Sequence, residues 1–523
     1  MLVIASICAL AQQPIALERI VTPAAGLVQP VDIQSRPGDL RFFVAERRGL
    51  VRIVTGGVPL TVPFADMTSE VAVNGETGLR AFAFAPDHLV TGHVFLWYDE
   101  ANGTAGVDGV LVKMTTFEGD ADRLDPASRE EILRVPQDGR SHGGGRIGFD
   151  PEGRLLLGIG DGHPGGDPMC RAQDRSNLLG SMIRIDVSGD LPYTIPADNP
   201  FIGVANVRPE ILHYGLRHPW KWCVDGSNGD LWIGDVGEVQ REEIDHVPGG
   251  GAGLNFGWPA IEGSECFSGQ GCTVHPPCNE PTFTPPVFEY DHGLGCSVTA
   301  GYVAENTSVL ELNGAFIFTD FCSHRIWSAR SDGAGSVNVI EHGVTVYPGN
   351  ANLVLPTTFG VDGEGELLVA DYVDGEIHRV APAESFFDIC EGMPNVAGDG
   401  AGMTTAGTTS LSRNNLRLDI AGTAPYTLGV LFYGPEATSV PVGNGVRCVG
   451  GGGLSIFRAG VRVANGSGEM TFELDLNSGP FMGGMSQVQA GSTWIFQTWY
   501  RDIGGPLGAS TNFSAAVAAR FRP

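Results

Sequence analysis

One pattern recurs along the first three-quarters of this chain: an apolar run, a turn built on Asp and Gly, and a second apolar run. It reads FDPEGRLLLGI from Phe149 to Ile159, VDGSNGDLWIGD from Val224 to Asp235 and VDGEGELLVAD from Val361 to Asp371. A looser copy, PGDLRFFVAE, runs from Pro37 to Glu46. Asp-Gly turns between short β-prone runs are hairpin signals. Repeated at this scale, they predict the blades of a β-propeller, which leaves only short, protected sheet edges. An array of β-sandwiches is the alternative architecture. The chain has 75 Gly and 34 Pro, enough for many tight turns, and 42% hydrophobic residues, enough to bury a large core. Disorder is excluded on that ground.

The texture changes near Phe386. Gly, Ala, Thr and Asn dominate to about Thr409, and alternating runs follow, such as TLGVLFY from Thr427 to Tyr433 and TWIFQTWY from Thr493 to Tyr500. We therefore expect an all-β protein, with a six-bladed propeller over 16–384, a linker over 385–408 and an accessory β-sandwich over 409–523. Residues 1–11 (MLVIASICALA) form an apolar run ending in small residues, as a secretory signal does. No other apolar stretch is long enough to cross a membrane.

The net charge of −28 repels phosphate backbones, so nucleic acid is excluded as a partner, whereas divalent cations and neutral sugars are compatible. Ten cysteines are present, nine without Cys8 of the signal. In a secreted, periplasmic or cell-surface chain these read as disulfides with one thiol left over. We expect Cys170–Cys223, Cys296–Cys322, Cys390–Cys448 and one pair drawn from Cys266, Cys272 and Cys278.

Three segments could carry chemistry. In Ser141 to Ile147 (SHGGGRI) a histidine stands beside glycines that let a ligand approach the backbone. Asp161 closes the following strand, so a hairpin would bring it beside His142, where a carboxylate orients the ring and raises its basicity. A turn histidine with a structural aspartate is the bland alternative. Arg217, in YGLRHPW from Tyr214 to Trp220, is placed to fork onto a carboxylate, or to form a surface ion pair. Gly234 to Asp245 (GDVGEVQREEID) supplies hard oxygen ligands of the kind calcium takes, or else is a solvated acidic strand.

Taken together, His142-Gly-Gly, Ile159-Gly-Asp161, PADNPF at Pro196, GLRHP at Gly215, GDVG at Gly234 with EEID at Glu242, and NFGWP at Asn255 resemble the glucose/sorbosone dehydrogenase family. That family includes soluble quinoprotein sugar dehydrogenases and hedgehog-interacting-protein-like chains. The resemblance runs from about residue 18 to 383. It implies that His142 is a general base paired with Asp161, abstracting a sugar hydroxyl proton while hydride passes to pyrroloquinoline quinone (PQQ). It implies cofactor contacts at Glu76, Arg217 and His218. It also implies one Ca2+ on the carbonyls of Gly237 and Glu238, and a second at Glu243 and the Phe256 carbonyl, with Glu262 nearby.

The chain departs from the quinoproteins at Glu76 (Gln there), at His218 (Asn there), and at Cys322-Ser323, which replace a basic pair; His324 and Arg325 follow. Cys322, with Cys296 upstream, is more like the hedgehog-interacting branch. Three functions follow from these readings. One is a PQQ-dependent aldose dehydrogenase passing electrons to an external acceptor. The others are a non-catalytic propeller binding a protein or glycan, and a calcium-dependent lactonase-like hydrolase.

Overall fold

In the computed structural model, residues 15–521 are described, apart from 104, 164, 190, 191, 268, 270, 334, 347–352, 383–385, 412, 413, 454, 490 and 491. The expected signal segment lies outside the described residues. The chain divides into two compact units, 1–381 and 382–523.

Among the described residues, the first unit carries six antiparallel sheets of four or five strands, one of them extended by a parallel edge pair, and a two-stranded ribbon. Each sheet begins with a strand that we call inner: Pro30–Ser35, Leu79–Phe84, Ile147–Phe149, Pro219–Val224, Val298–Ala304 and Pro356–Val361. Inner strands touch their neighbours in that order, with Leu155–Ile159 making the contact from the third sheet to the fourth. The last touches the first, so the sheets form a closed ring.

The apolar core repeats the same logic. One buried cluster fills each gap between consecutive sheets, for example Phe43, Ile53, Phe82 and Leu96 between the first and second. The others fill the second-to-third, third-to-fourth, fourth-to-fifth and fifth-to-sixth gaps, and the last joins the sixth to the first through Ile33, Val44 and Leu368. Because each sheet packs on both faces, a central strand can be apolar throughout. Leu155–Ile159 (LLLGI) is wholly buried.

The ring is closed by the start of the chain. Ile15–Val21 enters the sixth sheet between Ile377–Pro382 and Val344–Val346, pairing with the latter in parallel. The four Asp-Gly repeats are the inner hairpins of the first, third, fourth and sixth sheets. Their aspartates close the turns. Asp150 accepts from the N–H groups of Glu152 and Arg154, and Asp362 accepts from those of Glu364 and Glu366.

The second unit pairs Phe386–Cys390, Thr511–Arg520, Thr493–Arg501, Leu428–Gly434 and Phe457–Val463 in one sheet, and Gly402–Ala406, Arg417–Ala421 and Met470–Glu473 in another. Both contribute to one buried cluster that includes Leu418, Phe472, Tyr433 and Phe496. Two of these strands, Phe386–Cys390 and Gly402–Ala406, fall within the stretch whose composition reads as a linker. Phe386–Cys390 is ordered by ladder hydrogen bonds to the distant strand Thr511–Arg520, which local composition does not encode, and Gly402–Ala406 pairs with the next strand, Arg417–Ala421.

Four disulfides form: Cys170–Cys272, Cys266–Cys278, Cys296–Cys322 and Cys390–Cys448. The expected Cys170–Cys223 pair is corrected. Cys223 is a buried free thiol on an inner strand, packed in the apolar cluster with Trp232, Phe316 and Trp327. Cys170 lies instead in a left-handed turn that meets Cys272. Four disulfides are the mark of an extracellular or otherwise oxidising compartment. No described helix is long and apolar enough to cross a membrane.

Alkylation of the unfolded, unreduced protein is therefore expected to label Cys223 and no other cysteine beyond the signal. Peptide mapping should recover the four crosslinks above. A Cys170–Cys223 linked peptide would overturn this arrangement.

Candidate active site and metal centre

His142 stands just before the third inner strand, and Arg217 and His218 just before the fourth, so all three gather at one end of the ring. The segment that holds His142 is fixed from outside. The carbonyls of Gly143, Gly144, Gly145 and Arg146 accept from Trp97 Nε1 (3.1 Å), Arg80 Nη1 (2.9 Å), Lys221 Nζ (2.5 Å) and Trp222 Nε1 (3.3 Å). The three glycines are required sterically. A Cβ at Gly143 would meet the Arg80 guanidinium, one at Gly144 the Gly158 carbonyl and one at Gly145 the Trp220 carbonyl. His142 itself is held at φ 55°, a region that non-glycine residues rarely enter and that surrounding contacts must enforce.

Those contacts rest on buried charge. Arg80 is paired with Asp99 at 2.7 Å, both buried. Lys221 lies 3.6 Å from Asp32, also buried, and burial lowers its pKa to about 8. Removing one partner of such a pair costs about 3–5 kcal/mol, because the other charge is left unpaired.

His142 Nδ1 is 2.7 Å from Asp161 Oδ1. The same carboxylate accepts from the His163 N–H and, through Oδ2, from Trp258 Nε1 at 2.9 Å. Burial alone would raise the Asp161 carboxyl. His142, Arg217 and the His163 N–H outweigh that penalty and hold it below the usual carboxylate range. An ionised Asp161 has no proton to give, so Nδ1 is the donor and Nε2 carries the free lone pair. Among the described residues Nε2 has no hydrogen-bond partner, and the arrangement is that of a histidine base with an orienting carboxylate.

His218 stacks on His142, with ring centroids 5.2 Å apart and 28° between planes. Burial, then the neighbouring His142, Arg80 and Arg217, push its pKa well below the ordinary histidine value, so it is neutral at pH 7. Arg217 lies 5.6 Å from the Trp258 ring centre and forks onto Glu238, with Nε at 2.9 Å and Nη2 on the same oxygen. Glu76 is exposed at the edge, accepting the His142 backbone N–H at 3.2 Å.

The acidic stretch resolves into two motifs. Glu262 Oε1 accepts the backbone N–H groups of Glu238, Val239, Gln240 and Arg241, which bends the turn that follows Gly237. The second is a cluster. Asp235 pairs with Glu243 across adjacent strands, and Asp245 follows Glu243 on the same face. Asp235, Glu243 and Asp245 are all buried, with ligand atoms within 4.8 Å of one another. Like charges set directly opposite destabilise a sheet. Among the described residues, both Asp245 oxygens and Glu262 Oε2 are buried without a hydrogen-bond partner.

Burial first, then mutual repulsion, raises Glu243 and Asp245 well above the carboxylate range; burial lifts Asp235 to about 7. Unpaired hard oxygens crowded in a dry site fit a divalent cation such as calcium. Of the expected ligands, Glu243 is in this cluster and Glu262 neighbours it electrostatically. Phe256 is buried, with its N–H on the Tyr214 carbonyl. Asp235 and Asp245 were outside the ligand set inferred from sequence, although their spacing from Glu243 across a two-strand register was the available signal. Trp258, the second partner of Asp161, gave no comparable signal.

A profile of the family described as Glucose / Sorbosone dehydrogenase matches residues 27–345. HIPL1 protein of Arabidopsis thaliana is 27% identical over 374 residues, covering 59% of this chain and 53% of that protein. Hedgehog-interacting protein of Mus musculus is 31% identical over 223 residues, covering 40% of this chain and 32% of that protein. The chain thus spans about half the length of the first relative and about a third of the second. Among solved structures, the PQQ-bound form of aldose sugar dehydrogenase from Streptomyces coelicolor aligns with TM-score 0.54 at 21% identity, covering 71% of this chain and 98% of that one. At that identity the likeness is one of fold.

Carboxyls whose pKa is raised by folding contribute stability below the usual carboxylate range, and that contribution is lost as pH climbs through the folded value, here about 7 for Asp235. A cation on the cluster reverses the loss. The gain in unfolding midpoint on adding calcium to chelator-treated protein should therefore grow from about pH 4 to about pH 7, and Asp245→Asn should diminish it. A calcium gain that is flat over this range, or unchanged by the substitution, contradicts the cluster as a cation site.

Proposed function

The chain belongs to the glucose/sorbosone dehydrogenase family, and on that footing we propose that its six-sheet unit is a six-bladed β-propeller acting as a PQQ- and calcium-dependent oxidoreductase on an aldose sugar. The observation that carries this reading is the His142–Asp161 pair, with Nε2 unoccupied and the ring held against a neutral His218.

In this reading His142 Nε2 takes the proton of the reacting sugar hydroxyl, and Asp161 stabilises the imidazolium that forms. Positioned proton transfer of this kind contributes about 10²–10⁴-fold. Arg217 would hold a cofactor carboxylate through Nε and Nη2. That the fork suits a carboxylate is visible in the structure, where Glu238 supplies one. The carbonyls of Gly237 and Glu238 would hold a calcium ion at the cofactor. Asp235, Glu243 and Asp245, with Glu262 and the Phe256 carbonyl, would hold a second. Glu76 and His218 would line the cofactor. When bound, the quinone supplies a two-electron acceptor for the hydride leaving the same sugar carbon, and an external acceptor then removes the electrons.

We place the protein outside the cell or in the periplasm, after removal of 1–11, and read 409–523 as an accessory β-sandwich.

A second reading is a non-catalytic propeller that binds a protein or glycan. Two observations favour it: Glu238 already neutralises Arg217, and the Cys296–Cys322 disulfide stands where the quinoproteins have a basic pair.

The two readings separate on direct titration. Protein loaded with calcium and PQQ is expected to retain quinone absorbance through gel filtration and to reduce a dye acceptor with aldoses. His142→Ala should lower kcat by about 10²–10⁴-fold with quinone retained, and the unfolding midpoint should fall because buried Asp161 loses its partner. Absence of both retained quinone and dye reduction would favour the binding module. Glu238→Gln frees the Arg217 fork, so quinone affinity should rise by about tenfold. Unchanged or weaker quinone binding would remove Glu238 as the competitor.

A further inference from the structure

The other end of the ring holds a group that the proposed chemistry does not use. Arg146 is 7% exposed, and its Nη1 is buried with no hydrogen-bond partner. Among the described residues its guanidinium has no ion-pair partner either. It contacts two aromatic rings, with Cζ 5.9 Å from the Trp222 centre and 5.4 Å from that of Tyr302. The other two guanidiniums central to the His142 site are matched: Arg80 to Asp99 and Arg217 to Glu238.

Arg146 lines a cavity of about 290 Å³. Its walls come from inner strands of five sheets: Gln34 and Ser35, Phe84, Phe149, Trp222 with Cys223, and Tyr302. These residues lie in the later half of their strands, whereas His142, Arg217 and His218 precede theirs; Arg146 stands immediately before the third inner strand and lines the cavity from there. The cavity is thus on the opposite side of the ring from the His142 site. Among the described residues no Asp or Glu lines it, in a chain of net charge −28.

Burying a guanidinium with no counter-charge is costly, and cation–π contacts return only part of that cost. A carboxylate matches the planar fork of donors and supplies the missing charge. Phe84, Phe149 and Trp222 offer apolar and aromatic surface to the remainder of a ligand. The volume, at the small end of the range for ligand pockets, limits that remainder to a compact body. We infer that this cavity is a binding site for a small monocarboxylate with an apolar or aromatic body, received by Arg146.

The test uses the full chain and ligand-observed ¹⁹F NMR, with 4-fluorobenzoate as probe and 4-fluorobenzyl alcohol as its neutral counterpart. Wild-type protein and Arg217→Gln should both broaden the 4-fluorobenzoate signal, and neither should affect the alcohol. Arg146→Gln should weaken 4-fluorobenzoate binding at least tenfold. Ser35→Trp, at a half-exposed wall position, leaves the guanidinium in place and should also block binding; it decides the matter if Arg146→Gln does not fold. The inference is overturned if wild-type protein leaves 4-fluorobenzoate unaffected, if the alcohol binds as well as the acid, or if binding survives in Arg146→Gln or in Ser35→Trp. It is overturned equally if binding disappears in Arg217→Gln alone, which would place the anion at the His142 end.

Discussion

Four consecutive carbonyls, from Gly143 to Arg146, are each bonded by a buried side chain: Trp97, Arg80, Lys221 and Trp222. Much else in the site depends on this clamp. It fixes the chain that precedes the third inner strand, forces His142 into a left-handed conformation, and sets its ring against Asp161. The donors belong to the second sheet (Arg80, Trp97) and the fourth (Lys221, Trp222), on either side of the segment they hold. Each lost bond would leave a buried polar group unsatisfied, at about 1–3 kcal/mol. The three glycines follow from the same clamp, because only a backbone without Cβ comes this close to Arg80, Gly158 and Trp220.

The acidic cluster and the histidine pair share a wall. Asp235 accepts the backbone N–H groups of Arg217 and His218, at 2.8 and 2.6 Å, and its carboxylate also faces Glu243 and Asp245. A cation there would neutralise the crowded acids and keep Asp235 ionised as the acceptor that positions Arg217 and His218. Metal binding and the placement of the residues around His142 are therefore linked through one side chain. Across the ring's axis the buried charges Asp32, Lys221, Arg80 and Asp99 balance, whereas Arg146 beyond them does not.

Much of the fold was legible because its signal is local. The Asp-Gly repeat marks the inner hairpins of four sheets. In the second and fifth the hairpin is lengthened by a helical turn, His88–Thr91 and Leu310–Leu312, and the pattern is lost. The approach of Asp161 to His142 was legible as hairpin geometry; Arg217, before a Pro-terminated turn, was legible as a fork for a carboxylate or as a surface ion pair, and its partner is Glu238, which had been read only as a backbone ligand. Long-range features were not legible. Cys170 meets Cys272 across 102 residues, and Phe386–Cys390 becomes a strand only by pairing with Thr511–Arg520. Asp235 and Asp245 join Glu243 in one acidic cluster through the pairing of adjacent strands, a signal that the spacing offered but that only the folded register makes definite.

The proposed base depends on an ionised Asp161 that holds the His142 proton on Nδ1 and leaves Nε2 free. Long-range ¹H–¹⁵N correlation spectra of protein labelled at histidine nitrogen report this directly at neutral pH. A protonated Nδ1 and an unprotonated Nε2 are expected for His142, an arrangement that Asp161→Asn should disturb. A proton resident on Nε2 of neutral His142, or a tautomer indifferent to Asp161→Asn, would contradict it.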